Sequence, residues 1–415
     1  MRILLHDYSG HPFQVQLSRE LAARGHRVDH VHCPSYTTGK GSLERRPGDP
    51  EGFRVLEVDL GETFDKYHFR RRWRQEVRYG RLFSALADDL RPEVLISCNV
   101  PLFAQREIQR WARRTHTPFV FWQQDVYSFA MRDAVREKLP GPGHLLGEWF
   151  VHLERQMLKR SDAVVTISPD FGPILDEWGI PPERVHIIEN WAPLEDLPLR
   201  PRNNDWSAAH GLDDHRVLLY SGTLGLKHNP DLLRRLAAEV ADLDDVRVVV
   251  ASEGLGAEWL AERARAERLD NLVLLPFQPI DVFPDVLASA DVLLAVLEPE
   301  AGVFSVPSKV LSYHCAGRPI LASVPAANLS ARTIAAAGSG ITVEPDDADG
   351  FVAAARRLLD DADLRHDLGS KARAHAERAF DVHAIGERFE AICTDITDRS
   401  STTDTTGSGR PRRKT

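Results

Sequence analysis

Val292-Leu-Leu-Ala-Val-Leu-Glu-Pro-Glu-Ala-Gly-Val-Phe-Ser-Val-Pro-Ser-Lys-Val-Leu-Ser-Tyr-His-Cys-Ala-Gly-Arg-Pro319 decides how the rest of the chain is read. It opens as an apolar run far too short to span a membrane, crosses a stretch punctuated by glycine and proline, and turns helical at Ser308 with Pro307 just outside. Strand, loop and helix start follow one another. The first amides of a helix lack intrahelical acceptors and carry the positive end of its dipole, so a start at Ser308 suits a phosphate, and Lys309 adds a full charge beside it. The pattern points to a docked nucleotide diphosphate; its plain counterpart is an ordinary capped helix with a solvated lysine.

Working outward, the same alternation fills the second half. Strands are expected at Val217–Tyr220, Val246–Ala251, Leu272–Leu275, Val292–Leu297, Pro319–Ser323 and Gly340–Val343, with helices between most of them. The first half repeats the scheme. Ile3-Leu4-Leu5 is a short buried strand, Ser9-Gly10-His11 a loop, and Pro12–Ala23 a helix with proline in its first turn and Gly25 past its end. Further strands are expected at 27–32, 54–58, 94–97, 118–122, 163–167 and 184–188, and helices around 69–90, 103–114, 146–159 and 171–178. Such alternation predicts two doubly wound parallel sheets, each covered on both faces, with a cleft between the carboxyl ends of their strands. The expected boundaries are a first domain over 1–193, a Pro/Asn-rich linker over 194–206, a second domain over 207–380, a helix over 381–397 packing across both, and a disordered Ser/Thr/Gly-rich tail over 398–415.

With 415 residues, 43% of them apolar, the chain fills two cores rather than one. No window reads as a membrane span or signal peptide, which points to the cytoplasm. Four scattered cysteines show no CxxC pairing, so neither a zinc site nor a disulfide framework is expected. The net charge of -9 gives no general reason to bind nucleic acid.

Several strand ends carry residues suited to chemistry. Ser221-Gly222-Thr223-Leu224-Gly225-Leu226-Lys227 places glycines where a backbone could approach a ligand, and Lys227 where it could meet phosphate oxygens. Ser252-Glu253-Gly254 could form a neighbouring wall of the pocket. In the first half His11, beside Gly10, and Asp125, in Gln123-Gln124-Asp125, follow strands and could handle an acceptor hydroxyl; each could equally cap a helix or turn. Phe69, Trp73 and Val77 recur at helical spacing among arginines. That pattern suits an anionic membrane surface or a lipid-linked pyrophosphate, or simply a core stripe with a charged back. Pro140-Gly-Pro-Gly143 reads as a mobile loop near Asp125.

These positions together resemble a retaining glycosyltransferase of family 4 with the GT-B fold, from about Met1 to Ala379. The resemblance is carried by Ser9-Gly-His-Pro-Phe with Leu-Ala-Ala-Arg-Gly-His-Arg-Val28, Trp122-Gln-Gln-Asp-Val126, Val164-Val-Thr-Ile-Ser168 and Ile187-Ile-Glu-Asn-Trp191. In the second half it rests on Ser221-Gly-Thr with Lys227, Asn271-Leu-Val-Leu-Leu-Pro-Phe277, Ala288-Ser-Ala-Asp-Val292, and Val306-Pro-Ser-Lys-Val310 with Ala316-Gly-Arg-Pro319. Within the family it is most similar to the exopolysaccharide and O-antigen branch with a Pro-Ser-Lys loop.

The resemblance implies a nucleotide-diphosphate sugar, a UDP-sugar first, held by the second domain, and a glycan or lipid-linked acceptor held by the first. It also implies hexosyl or N-acetylhexosaminyl transfer with retention, no metal and no further cofactor. Lys227, Lys309, His11 and Asp125 would be the catalytic groups. Gly10, Gly222, Thr223, Glu253, Gly254, Pro307, Ser308 and Val310 would hold the donor. Two departures stand out. The family usually has arginine where this chain has Thr223, and glutamates where it has Phe304 and Ser312, so the ribose contact must come from elsewhere, with Glu298 and Glu300 as the candidates. A sugar-nucleotide epimerase or hydrolase on the same fold, or a non-catalytic nucleotide-sugar-binding module, are the competing readings. The location expected is the cytoplasm, with peripheral contact at the inner face of the membrane through Phe69–Arg78.

Overall fold

The computed structural model describes residues 1–36, 41, 43–65, 68–98, 100–225, 228–297 and 307–406. The chain divides into two compact units, Met1–Glu189 with the segment from Val382, and Asn190–Asp381.

In the first unit the described strands are β1 (Arg2–Asp7), β2 (Arg27–His32), β3 (Phe53–Glu57), β4 (Val94–Cys98), β5 (Phe119–Gln123), β6 (Ala163–Thr166) and β7 (Val185–Ile187). They pair in parallel in the order β3-β2-β1-β4-β5-β6-β7. Central strands β4 and β5 are buried along their whole length, as strands covered on both faces must be. The helices are α1 (Pro12–Ala23), α2 (Phe69–Leu90), α3 (Leu102–Thr115), α4 (Tyr127–Lys138), α5 (Pro142–Lys159) and α6 (Gly172–Glu177). The strand order reverses direction at β1, which pairs with β2 on one side and β4 on the other. In a doubly wound sheet that switch point, at the strand carboxyl ends, is where ligands collect.

Periodicity predicts α2 with its observed ends but leaves α4 unseen. Among the residues of α4 only Ser128 is buried, so the helix has no apolar stripe to read; it packs on α5 instead. The expected mobile loop at Pro140–Gly143 is a tight turn at Gly141, φ +90°, between these two helices. Gly143 lies so close to α4 that a Cβ there would come within 2.4 Å of the Val135 carbonyl oxygen.

The second unit holds β8 (Arg216–Ser221), β9 (Val246–Ala251), β10 (Leu272–Leu275), β11 (Val292–Val296), β12 (Ile320–Ser323) and β13 (Gly340–Val343), parallel in the order β10-β9-β8-β11-β12-β13. Its helices are α7 (Asp205–Ala209), α8 (Pro230–Glu239), α9 (Leu255–Glu267), α10 (Phe283–Ala288), α11 (Ser308–Ala316), α12 (Leu329–Ala337), α13 (Ala348–Asp360) and α14 (Ala362–Ala379). Here the switch point falls between β8 and β11. A core of Leu218, Tyr220, Leu233, Val248, Leu294 and Phe351 lies beneath it.

The stretch expected as a linker belongs to the second unit. Arg202 donates to the Leu212 carbonyl at 3.0 Å and pairs with Asp291 at 3.1 Å, and Asn204 caps α7 in a reciprocal capping box with Ser207. A run rich in Pro and Asn reads as a linker because the partners that anchor it are remote in sequence. The last helix, α15 (Val382–Thr406), groups with the first unit. Phe389 stacks on Trp122 at 4.6 Å, and Glu390 meets Arg24 and His26 at 2.6 and 2.7 Å. It continues well into the segment expected to be disordered, whose last residues, 407–415, lie outside those described.

Candidate functional site

At the switch point of the second unit, the Tyr313 hydroxyl of α11 accepts from the Ser221 N–H at 3.0 Å and lies 3.1 Å from the Leu294 carbonyl. One side chain thus ties α11 to both central strands. One turn earlier on the same helix, Lys309 reaches back over the end of β8. Its ammonium sits 3.6 Å from the centre of the Tyr220 ring, a cation–π contact, and finds no hydrogen-bond partner among the described residues although its nitrogen is buried. Burial pulls its pKa down to about 7.

Gly222 makes this approach possible. Its φ of +126° is poorly tolerated by other residues, and a Cβ there would come within 3.3 Å of Lys309 Cε. Beside it, the loops after β8 and β9 are laced together. Gly256 N–H donates to the Leu224 carbonyl at 2.9 Å, Leu224 N–H to the Glu253 carbonyl at 3.2 Å, and the Tyr220 hydroxyl to the Thr223 carbonyl at 2.8 Å. Gly254, φ +115°, starts α9 with no side-chain cap, and Pro307 starts α11 with none and no acidic residue in its first turn. No described group accepts from the N–H of Ser308 or Lys309. The N–H of Val310 instead turns back to the Pro307 carbonyl at 3.1 Å and its side chain enters the core, so Val310 has nothing free to offer a ligand.

The structure therefore gathers Gly222, Thr223, Gly254 and Lys309 at one sheet edge, with Glu253, Pro307 and Ser308 beside them in the same loops. Thr223, Glu253 and Ser308 are exposed there. Lys227, Glu298, Glu300 and Phe304 lie outside the described residues. Ser312 is half-buried on α11. A buried ammonium with no partner among the described residues, beside uncapped helix starts, is the arrangement that suits an anion, since a buried cation is stabilised most by a counter-ion.

The first unit is built differently. Asp7, fully buried at the end of β1, accepts from the Ser9 N–H at 3.0 Å and from the His11 N–H, and so folds the Ser9-Gly10-His11 loop around its carboxylate. The Gln14 amide, turned with its nitrogen toward Asp7, donates to both oxygens at 2.6 Å. His11 Nδ1 stands 3.7 Å from Asp7. Burial alone would lower the imidazole pKa, but the hydrogen bond and charge of Asp7, with a contribution from Asp125, raise it above the ordinary value. The Asp125 carboxyl, although open to solvent, is raised by partial desolvation, and His11 opposes that rise. His11 and Asp125 thus sense each other across one strand-end region, a basic and an acidic group suited to orienting a hydroxyl and taking its proton.

Three groups here escape sequence reasoning. Asp7 falls between the strand expected at Ile3-Leu4-Leu5 and the loop expected at Ser9-Gly10-His11, whereas in the structure it is the last residue of β1. Glu154 on α5 is fully buried and accepts from the Ser128 N–H at 2.9 Å at the start of α4; burial pushes its pKa up to about 7. Glu76 on α2 does the same for α3, accepting from the Phe103 N–H at 3.0 Å. Such remote caps leave no local pattern. Tyr313, by contrast, lies four residues after Lys309, a helical spacing that was legible.

Residues 11–191 match the family described as glycosyl transferase 4-like domain, and residues 203–375 match glycosyl transferases group 1. Alpha-D-kanosaminyltransferase of Streptomyces kanamyceticus is 25% identical over 223 residues, covering 52% of this chain and 56% of that protein. The chain thus spans about half the length of the curated relative it matches. Among solved structures, Anabaena HepE in complex with UDP and glucose aligns with a TM-score of 0.70 at 15% identity, over 95% of this chain and 100% of that one. Sucrose-phosphate synthase from Thermosynechococcus elongatus aligns with a TM-score of 0.68 at 16% identity, over 98% and 100%. At such identities the likeness is one of fold.

Proposed function

From a chain made of a glycosyl transferase 4-like domain followed by a glycosyl transferases group 1 domain, we propose sugar transfer from a nucleotide-diphosphate sugar, a UDP-sugar first, to a glycan or lipid-linked acceptor. The observation that carries this reading is the buried ammonium of Lys309 over Gly222, which has no hydrogen-bond partner among the described residues, next to the uncapped start of α11. A diphosphate seated there would give Lys309 its missing counter-ion and recharge it. As the glycosidic bond to the sugar breaks, negative charge grows on the departing diphosphate, and a fixed cation with aligned amides meets that charge without reorganising. Lys227 would add to it. The UDP and glucose of the Anabaena complex and the activity for which the kanosaminyl relative is named support the same class of donor.

In the acceptor unit, His11 would hold the incoming hydroxyl while Asp7 fixes the imidazole, with Asp125 across from it. The transfer is of hexosyl or N-acetylhexosaminyl type, with retention at the anomeric carbon and with Lys309 and amides in place of a divalent ion. Titration calorimetry of the full chain with UDP and UDP-sugars tests the core of this: saturable binding is expected, weakened strongly in Lys309→Ala. No binding of any nucleoside diphosphate by the wild type sinks the proposal. Product anomeric configuration by NMR and turnover in chelator test retention and metal independence, and complete conversion of donor without acceptor would instead mark an epimerase or hydrolase.

A further inference from the structure

The chain carries a net charge of -9, yet Phe69–Arg81 holds six arginines against one glutamate. That glutamate, Glu76, is buried and held by Arg72 at 2.7 Å, so it neutralises nothing outside. Arg70, Arg71, Arg74 and Arg78 line one open depression at the start of α2. Glu62 and Asp65 share it, but Arg71 holds Glu62 at 2.7 Å and His68 holds Asp65 at 2.8 Å. Arg70, Arg74 and Arg78 are exposed and have no ion pair among the described residues.

Apolar surface lies directly against this charge. Phe69 and Trp73, one helical turn apart, are each 44% exposed. Phe69 packs on Phe103 and Phe150 at 6.3 and 6.0 Å, and Trp149 of α5 packs on the same two rings at 5.9 and 5.4 Å. One turn before Trp149, Leu145 is 81% exposed. The result is a ridge running Leu145, Trp149, Phe69, Trp73 across two helices, flanked by unpaired guanidinium groups. A core stripe would be covered; these side chains are not.

The geometry points to this ridge as a docking surface for an anionic lipid bilayer. Tryptophan and phenylalanine favour the headgroup boundary, where apolar bodies and polar edges are both accommodated, and arginines beside them meet lipid phosphates. A protein partner is the weaker reading, because the exposed side chains left without an ion pair among the described residues here, Arg70, Arg74 and Arg78, are all of one sign. The surface shares a helix with the candidate acceptor region: α5, which carries Leu145 and Trp149, is tied through Glu154 to the Ser128 N–H at 2.9 Å, just past Asp125. A lipid-linked acceptor would reach that loop from the surface that holds it. Docking itself does not depend on sugar transfer.

Flotation of the full chain with phosphatidylcholine vesicles, with and without phosphatidylglycerol, tests this directly. Binding is expected only with the anionic lipid and should fade with added salt. The double variant Arg70→Gln/Arg74→Gln should lose about 25-fold in partitioning, at about fivefold per arginine, and Trp73→Ser about tenfold. Circular dichroism and UDP affinity should be unchanged in both, which separates loss of docking from loss of fold. The proposal is overturned if the wild type stays off anionic vesicles, if it binds neutral vesicles equally, if the folded variants bind as well as wild type, or if a soluble polyphosphate occupies the patch while vesicles do not.

Discussion

The two units meet one structural problem with opposite charges. In each, helices begin at the carboxyl edge of a parallel sheet and present amides without intrahelical acceptors. In the first unit buried carboxyl groups take those amides: Asp7 at the entry to α1, Glu76 at α3 and Glu154 at α4. In the second unit α9 and α11 start with no side-chain cap, and beside α11 stands a buried ammonium with no partner among the described residues. Amides already bonded to a carboxylate cannot receive a phosphate, whereas open ones beside a cation can. Topology favours a ligand site at the switch point of both sheets, and under the proposed function the buried side chains at each would decide what it takes.

The sharpest way to break this contrast is at Lys309. Lys309→Ala is expected to lower kcat by about 10²–10³-fold, the size typical of removing one preorganised stabilising group. Because burial holds its pKa near 7, diphosphate affinity of the wild type should fall as pH rises above about 7 while the variant stays flat. Removing an unpaired buried charge should leave the melting temperature equal or higher. A variant with full affinity and turnover would erase the distinction between the units.

Glu154 sharpens it from the other side. Its folded pKa of about 7 exceeds the ordinary value of 4.5, so the folded state holds a proton that the unfolded state has released between those values. Its favourable contribution is present below pH 4.5 and is lost as pH rises through 7. Denaturant titrations should therefore show Glu154→Gln gaining on wild type across that window, by about 3 kcal/mol at most. The neutral buried His6 and His30 act oppositely. Their pKa values are lowered to about 3 and about 4, so the stability they contribute is lost as pH falls below 6.5, but they cancel in the comparison of variant with wild type.

His11→Ala tests the division of labour more gently. A loss of about 10²-fold in kcat with unchanged UDP affinity is expected if it handles the acceptor; weakened UDP binding would argue against that role. Smallest is Asn204→Ala, which removes the cap of α7 and should cost about 1 kcal/mol in chemical denaturation without touching activity.

Much of this contrast was half visible in the chain. Gly222, Gly254 and Lys309 could be named as ligand-facing because turn glycines and a lysine just inside a helix start have local signatures. That Lys309 folds back onto Tyr220 and past Gly222 had none, since those residues are nearly ninety positions away. His11 and Asp125 were legible as strand-end residues, but Asp7, whose carboxylate sets the state of His11, lies past the expected strand Ile3-Leu4-Leu5 and drew no reading of its own. The arginines of α2 were equally plain, whereas the rings of α5 that extend them into a ridge became neighbours only through packing on Phe103 and Phe150.

The amino-acid sequence by itself determined two parallel sheets, the positions of most strands and those of the loops that could bear chemistry, because hydrophobic period, glycine and proline act over a few residues. Tertiary structure alone decided which helix starts carry a side-chain cap and which do not, and buried the Lys309 ammonium with no partner among the described residues. Those outcomes depend on side chains that meet from distant parts of the chain, where desolvation multiplies the effect of each charge and no local pattern records which partner will arrive.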